Sequence, residues 1–247
     1  MITGKVSVVG TGPGSPEHLT AQAKDVLFES DLVIGYRLYV NHVAELIEGK
    51  EIIASAMGKE VERCRQAVEE AVRGKKVALV SGGDPGIYGM AGLLLQVVGE
   101  EPEPPLVEII PGVTAAGAAA ALLGAPLMHD FAVISLSDLL TPWDAIEKRL
   151  HAAAAADFVI VLYNPRSRSR TDLLAKAREI VLEHQVEETA VGMIRGAGRK
   201  EQQKWEVTLE NMTCCMEEAD MATLVIIGNS RTYWQNGKMI TPRGYEL

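Results

Sequence analysis

The chain offers no disulfide framework. Cys64, Cys214 and Cys215 are an odd number with no CxxC spacing, and adjacent cysteines do not bridge readily. A reducing, cytoplasmic compartment is therefore expected. A long apolar run is also missing. The least charged stretch, residues 109–128, is interrupted by Pro111, Gly112, Gly117, Gly124 and Pro126. It reads as a turn followed by a buried Ala-rich helix, so no membrane partner is expected. No basic region precedes an apolar one near residue 1, so no signal peptide is expected either. Basic charge is in deficit, with 24 Lys and Arg against 33 Asp and Glu for a formal −9. That balance argues against general nucleic-acid binding and requires a local basic patch for any anionic ligand. The five histidines, His18, His42, His129, His151 and His184, fall at no metal-ligand spacing with one another or with cysteine. No protein-bound metal is expected on that ground. Repeats and low-complexity segments are absent.

What is present is an ordinary globular balance, 47% hydrophobic and 23% charged over 247 residues. That length suits one large domain or two of roughly 110–130 residues. The pattern runs strand, Gly-rich turn, helix, and repeats. Strands are expected at 5–9, 31–34, 76–80, 107–110, 132–136, 158–162, 189–194, 204–209 and 223–227. Helices are expected at 20–28 with Thr20 as N-cap, 40–48, 59–73, 87–98, 114–123, 143–154 and 172–183. In the 59–73 helix, Val61, Cys64, Ala67 or Val68, and Ala71 or Val72 take helical spacing for the buried face. Alternating strands and helices give an α/β class. The stiff Glu-Glu-Pro-Glu-Pro-Pro at 100–105 and the shift that follows place a domain boundary at 112, giving domains 1–112 and 113–247.

Ligands in open α/β sheets bind beyond the carboxyl ends of strands, and four turns stand there. Gly10-Thr11-Gly12-Pro13-Gly14 is GxGxG rather than GxGxxG. Pro13 removes an N–H that a pyrophosphate would need, and Asp31 opens a strand instead of closing one, which argues against dinucleotide binding. It is either a tight turn or a loop at the mouth of a substrate site. In Ser81-Gly82-Gly83-Asp84-Pro85-Gly86, the double glycine lets a ligand approach the backbone. Asp84 either accepts from a ligand or caps the next helix. Pro111-Gly112-Val113-Thr114-Ala115 either exposes helix N–H groups to a flat ring or packs an Ala-rich helix closely. Leu162 to Arg170 carries Arg166, Arg168 and Arg170, with no acid between Asp157 and Asp172. If extended, alternate arginines point to one side as an anion clamp; the other reading is a solvated lead-in to a helix. His129-Asp130 stands out among the histidines because it immediately precedes an expected strand.

These four turns, in this order, resemble the tetrapyrrole methylase family over essentially the whole chain. Three longer stretches, 81–92 (SGGDPGIYGMAG), 124–143 (GAPLMHDFAVISLSDLLTPW) and 162–170 (LYNPRSRSR), and the ending at 227–245, resemble its C17-methylating branch. The resemblance implies two α/β domains with the active site in the cleft between them, a homodimer, and S-adenosylmethionine as methyl donor. It maps cofactor contacts to Gly82, Gly83, Asp84, Ile87, Thr114, Ala115 and Tyr163, and more loosely to Ala197 and residues 223–224. The loop with Gly12, Pro13 and Gly14 is implied to face the tetrapyrrole, whose carboxylates give Arg166, Arg168 and Arg170 a purpose, with Arg37, Arg195 and Arg199 as additions. The implied reaction methylates C17 of precorrin-3B, or its cobalt counterpart, and contracts the ring. Proton-transfer candidates are His129, Asp130, Ser137 and Asp138. The alternatives are methylation at another macrocycle position, a diphthine-synthase-like protein methylase, an NAD(P)-dependent oxidoreductase and a non-catalytic module.

Overall fold

The computed structural model describes residues 4–167 and 169–246. The chain divides into two compact units, Met1–Ala115 and Ala116–Leu247.

The first unit contains β1 (Lys5–Gly10), α1 (Ala21–Glu29), β2 (Leu32–Tyr36), α2 (Arg37–His42), β3 (Glu51–Ser55), α3 (Glu60–Val72), β4 (Lys76–Ser81), α4 (Ala91–Val98) and β5 (Leu106–Ile110). Its five strands form a parallel sheet in the order β3-β2-β4-β1-β5. Two apolar layers sandwich it. Ala23, Leu27, Val40 and Val43 cover one face with Val9, Val33 and Val80. Cys64, Ala67, Val68, Leu94 and Val97 cover the other with Val6, Val8, Leu32 and Leu79. The chain leaves β1 leftward through α1 and leaves the adjacent β4 rightward through α4. The paired carboxyl ends of β1 and β4 are thus the switch point of a doubly wound sheet, where such folds bind ligands.

The second unit contains α5 (Ala115–Leu123, whose first residue closes the first unit), β6 (Gly124–Ala125), β7 (Phe131–Ser135), α6 (Trp143–Ala155), β8 (Val159–Tyr163), α7 (Leu173–Leu182), β9 (Ala190–Arg195), β10 (Gln203–Thr208), β11 (Thr223–Ile227), β12 (Tyr233–Gln235) and β13 (Lys238–Ile240). Its main sheet runs β10-β9-β11-β8-β7. Only β7 and β8 pair in parallel; β11 lies antiparallel to β8 and β9, and β10 antiparallel to β9. The carboxyl ends of β7, β8 and β9 therefore share one edge. A small sheet joins β12, β13 and β6.

Local chemistry explains the matches and the departures. Thr20 caps α1, its hydroxyl accepting from Ala23 N–H at 3.1 Å, which satisfies one orphan donor of the first turn. The helix expected from residue 87 starts at Ala91 instead, because residues 84–90 form a tight turn with Tyr88 at φ +53°. In α3 the apolar reading holds at Cys64, Ala67, Val68 and Ala71, with Val72 the exposed alternative, and fails at Val61, which is exposed, while Arg63 is buried. The Arg63 guanidinium donates to Ser55 Oγ, Ala56 O and Glu60 Oε1 at 2.8–2.9 Å, and these bonds, one of them to a carboxylate, make burial tolerable. The sequence reading missed β3, a half-exposed edge strand with two isoleucines, and the short β6, β12 and β13. Among the described residues no helix is long and apolar enough to cross a membrane.

The thiols differ sharply. Burial pushes Cys64 up to about 11 and Cys215 up to about 12, the latter raised further by the neighbouring Cys214 thiol. Cys214 is exposed. Thiolates are the reactive form, so iodoacetamide at about pH 8 should add one adduct to the folded protein, at Cys214. Unfolding before alkylation should expose all three cysteines. Peptide mapping by mass spectrometry reads both results.

Candidate active site

In the first unit, three of the four turns meet at the switch point. Gly12 and Gly83 form an antiparallel bridge, exchanging N–H···O bonds of 3.2 and 2.8 Å. The N–H and the hydroxyl of Thr11 both donate to Ser81 O, at 2.9 and 3.2 Å. Asp84 binds in two directions: Oδ1 accepts from Gly86 N–H at 2.8 Å and Oδ2 from Gly112 N–H at 3.0 Å. Its carboxylate thus ties the turn after β4 to the turn after β5. It caps no helix, since the next helix starts only at Ala91, so the capping role expected from the sequence does not hold.

The glycines separate by cause. A Cβ on Gly112 would sit 2.1 Å from Gly83 O, and one on Gly10 would sit 2.6 Å from Gly112 N, so these two backbones touch. A Cβ on Gly82 would fall 2.4 Å from the Tyr39 ring, so close packing of that aromatic requires a glycine here. Gly83 is different. It has φ +66°, and its Cβ would meet only Ala115 N, at 3.8 Å. Open space therefore lies over the Gly83 backbone, bordered by the first N–H of α5. A helix N-terminus beside an uncovered backbone offers N–H donors to a polar ligand. Thr114 and Ala115 are half-buried there, and Ile87 is 39% exposed. In the Gly10 turn, Gly12 and Pro13 are buried and Gly14 is half-buried, with Gly12 at φ +68° packed against His18.

In the second unit, the shared carboxyl edge of β7, β8 and β9 gathers Ser137, Asp138, Tyr163 and Arg170. Asn164 follows Tyr163 at φ +53°, and its amide donates to Ser135 Oγ at 2.9 Å. Ser135 Oγ also accepts from Ser137 N–H at 3.2 Å. Arg170 then donates to Ser137 Oγ and Asp138 Oδ1, both at 2.9 Å. Asn164, Ser135, Ser137, Asp138 and Arg170 form one connected polar array. Sequence reasoning missed Asn164 and Ser135; the only signal was their place at strand ends. The Tyr163 hydroxyl accepts from Ala116 N–H at 3.1 Å, so it satisfies an orphan donor of α5. Ala197 is buried in the turn after β9, between Gly196 and Gly198, both at positive φ.

Two expectations need correction. The arginine segment is not extended: Ser167 and Arg170 bridge each other, which closes a turn. Arg166 donates to Met216 O at 3.2 Å while Arg170 turns to Asp138, so these two do not form a one-sided clamp. Arg168 lies outside the described residues. His129 and Asp130 form an exposed local pair, with Asp130 N–H donating to His129 Nδ1 at 2.9 Å. They precede β7, whereas Ser137 and Asp138 follow it, and five strand residues separate the two sets by about 17 Å. His129 and Asp130 cannot join the same proton relay as Asp138. Of the other arginines, Arg195 is bound to the Glu218 carbonyl at 2.9 Å and lies over the Trp205 ring; Arg37 is exposed.

Substitutions should rank by these causes. Gly83→Ala has room for its methyl and should cost about 1–2 kcal/mol, the strain of a left-handed residue. Gly112→Ala forces backbone apart and should cost more. Asp84→Ala leaves the part-buried Gly112 N–H without its acceptor, while the exposed Gly86 N–H turns to water, and should cost about 1 kcal/mol. Urea unfolding midpoints at unchanged m-value check the order.

A family model described as Tetrapyrrole (Corrin/Porphyrin) Methylases matches residues 5–213. The chain is 51% identical over 242 residues to the "Probable cobalt-factor III C(17)-methyltransferase" of Salmonella typhimurium, covering 98% of this chain and 100% of that protein. Some other curated relatives are longer, and the chain spans 45% and 53% of two of them. The crystal structure of the methyltransferase CobJ matches with a TM-score of 0.92 at 38% identity, over 97% of this chain and 100% of that one. The Thermus thermophilus uroporphyrin-III C-methyltransferase complexed with S-adenosyl homocysteine matches with a TM-score of 0.70 at 25% identity, over 91% and 97%. With a family match over most of its length and a full-length relative at this identity, the chain belongs to the tetrapyrrole methylase family.

Proposed function

We propose that this chain transfers a methyl group from S-adenosylmethionine to C17 of a cobalt-containing tetrapyrrole, cobalt-factor III, with ring contraction in cobalamin biosynthesis. The observation that carries this reading is the 51% identity to a full-length relative bearing that name. The same observation favours the cobalt substrate over metal-free precorrin-3B. A second reading, methylation at another macrocycle position, has no observation in its favour. Work in the cytoplasm as a homodimer is part of the proposal.

The residues fit the methyl donor, because the open space over Gly83, bordered by the α5 N-terminus, suits a polar ligand. We assign Gly82, Gly83, Asp84, Ile87, Thr114 and Ala115 to holding it within the first unit, and Tyr163 and Ala197 within the second. When bound, S-adenosylmethionine supplies an electrophilic sulfonium methyl. The protein then needs no nucleophile of its own. Its contribution is orientation of the acceptor carbon and movement of protons during ring contraction. Asp84 serves by fixing two turns rather than by touching the reacting atoms. Gly12, Pro13 and Gly14 are assigned to the tetrapyrrole, as is Arg170, which the Asp138 pair holds in place. Ser137 and Asp138 are the proton-handling candidates.

Purified protein with methyl-labelled S-adenosylmethionine and cobalt-factor III should give a product heavier by one methyl, with the spectrum of a contracted ring. Turnover of metal-free precorrin-3B alone would overturn the cobalt assignment. Asp138→Asn should raise the KM for the tetrapyrrole about 5-fold or more, the equivalent of roughly 1 kcal/mol, while leaving S-adenosylmethionine affinity unchanged. Steady-state kinetics with separate donor titrations checks the split.

A further inference from the structure

The two histidines nearest each other in space lie 33 residues apart in sequence. His151 belongs to α6, and His184 follows Glu183 at the end of α7. His151 Nδ1 and His184 Nε2 are 3.0 Å apart, with the rings edge to face at 85°. Glu183 Oε2 lies 3.9 Å from His151 Nδ1, and one ligand atom from each of the three falls within 4.8 Å of the others. We propose that His151, Glu183 and His184 bind a divalent transition ion of the zinc or nickel type.

Ligand spacing supports this. Two imidazole nitrogens about 2.0–2.1 Å from one zinc ion sit about 3.0–3.4 Å apart, close to the separation found. Two imidazoles and a carboxylate favour zinc, nickel or copper over magnesium or calcium, which prefer all-oxygen shells. The scaffold is also fixed. Gln185 follows His184 directly, and its side-chain amide donates to Ala154 O at 3.2 Å and Asp157 Oδ1 at 3.0 Å. That pins the end of α7 to the end of α6. Asp157 is held in turn by Ser230, whose N–H and hydroxyl donate to it at 2.8 and 2.6 Å. Burial works against the Asp157 charge, but these bonds outweigh it and keep its carboxyl below the usual range. The three ligands therefore project from helix ends that do not have to be ordered on binding. His151 is partly buried and the other two are exposed, so an ion has direct access and keeps open positions for water. The site lies at the opposite edge of the sheet from Ser137 and Asp138 and is separate from the methyl-transfer machinery.

The test is isothermal titration of tag-free, chelator-stripped protein with zinc or nickel, and with magnesium as the contrast. Wild type should show one saturable site per chain for zinc and nickel, and none for magnesium. His151→Gln and His184→Gln should each weaken it by more than about 10-fold, the least that losing an outer-shell partner costs. Glu183→Gln should weaken it less. Zinc should raise the melting temperature of wild type and not of His184→Gln, while the metal-free melting temperatures agree and show that the variants fold. Absence of saturable zinc binding would overturn the proposal. Unchanged affinity in both histidine variants would overturn it too, leaving the 3.0 Å contact as an imidazole hydrogen bond only.

Discussion

The contact of Gly112 with the Gly83 carbonyl organises the first unit's functional edge. A side chain at 112 would stand 2.1 Å from that oxygen, so the turns after β4 and β5 approach as bare backbone. Gly10 meets Gly112 in the same way, which brings in the turn after β1. Hydrogen bonds then fix what sterics allow: the Gly12–Gly83 bridge and the two arms of Asp84. Because residue 112 is three positions before α5, the same lock sets where the first N–H groups of that helix point. The open space over Gly83 is a consequence of this packing. A platform built from backbone and one carboxylate suits a cofactor recognised by hydrogen bonds and shape.

The second unit solves a different problem. In a chain of formal charge −9, an anionic substrate needs fixed donors rather than bulk attraction. Asn164 accepts a left-handed backbone, a conformation asparagine tolerates better than most residues, and that turns its amide onto Ser135. Ser135 orders Ser137, and Arg170 closes the array onto Ser137 and Asp138. Arg170 is thereby held by groups that themselves belong to the candidate chemistry. Side chains so constrained lose little freedom when a ligand arrives.

Much of the architecture could be read from the chain. Alternation of apolar strands with amphipathic helices gave the α/β class, and Thr20 marked the start of α1. The strands it hid carry weak signals: β3 is an edge strand with two isoleucines and no buried residue, and β6 has two residues. The turns were legible as places, not as roles. Gly82 and Gly83 look equivalent in sequence, yet one makes way for Tyr39 and the other adopts positive φ beside open space. The arginines at 166–170 suggest a clamp only if extended, and the Ser167–Arg170 bridge bends them. Proximity across the fold was not legible at all. His129 lies nine residues from Asp138 but across a strand from it, while His151 and His184, 33 residues apart, are in contact. Periodicity reports which face a residue takes, and only topology reports which distant residues share it.

The interlocked turns after β4 and β5 are the proposed cofactor platform. Amide hydrogen exchange with and without S-adenosylhomocysteine, read by mass spectrometry, tests it without needing the tetrapyrrole. Ligand-dependent protection should concentrate in peptides covering residues 83–87 and 112–116. Binding that protects other segments and leaves those two unchanged would contradict it.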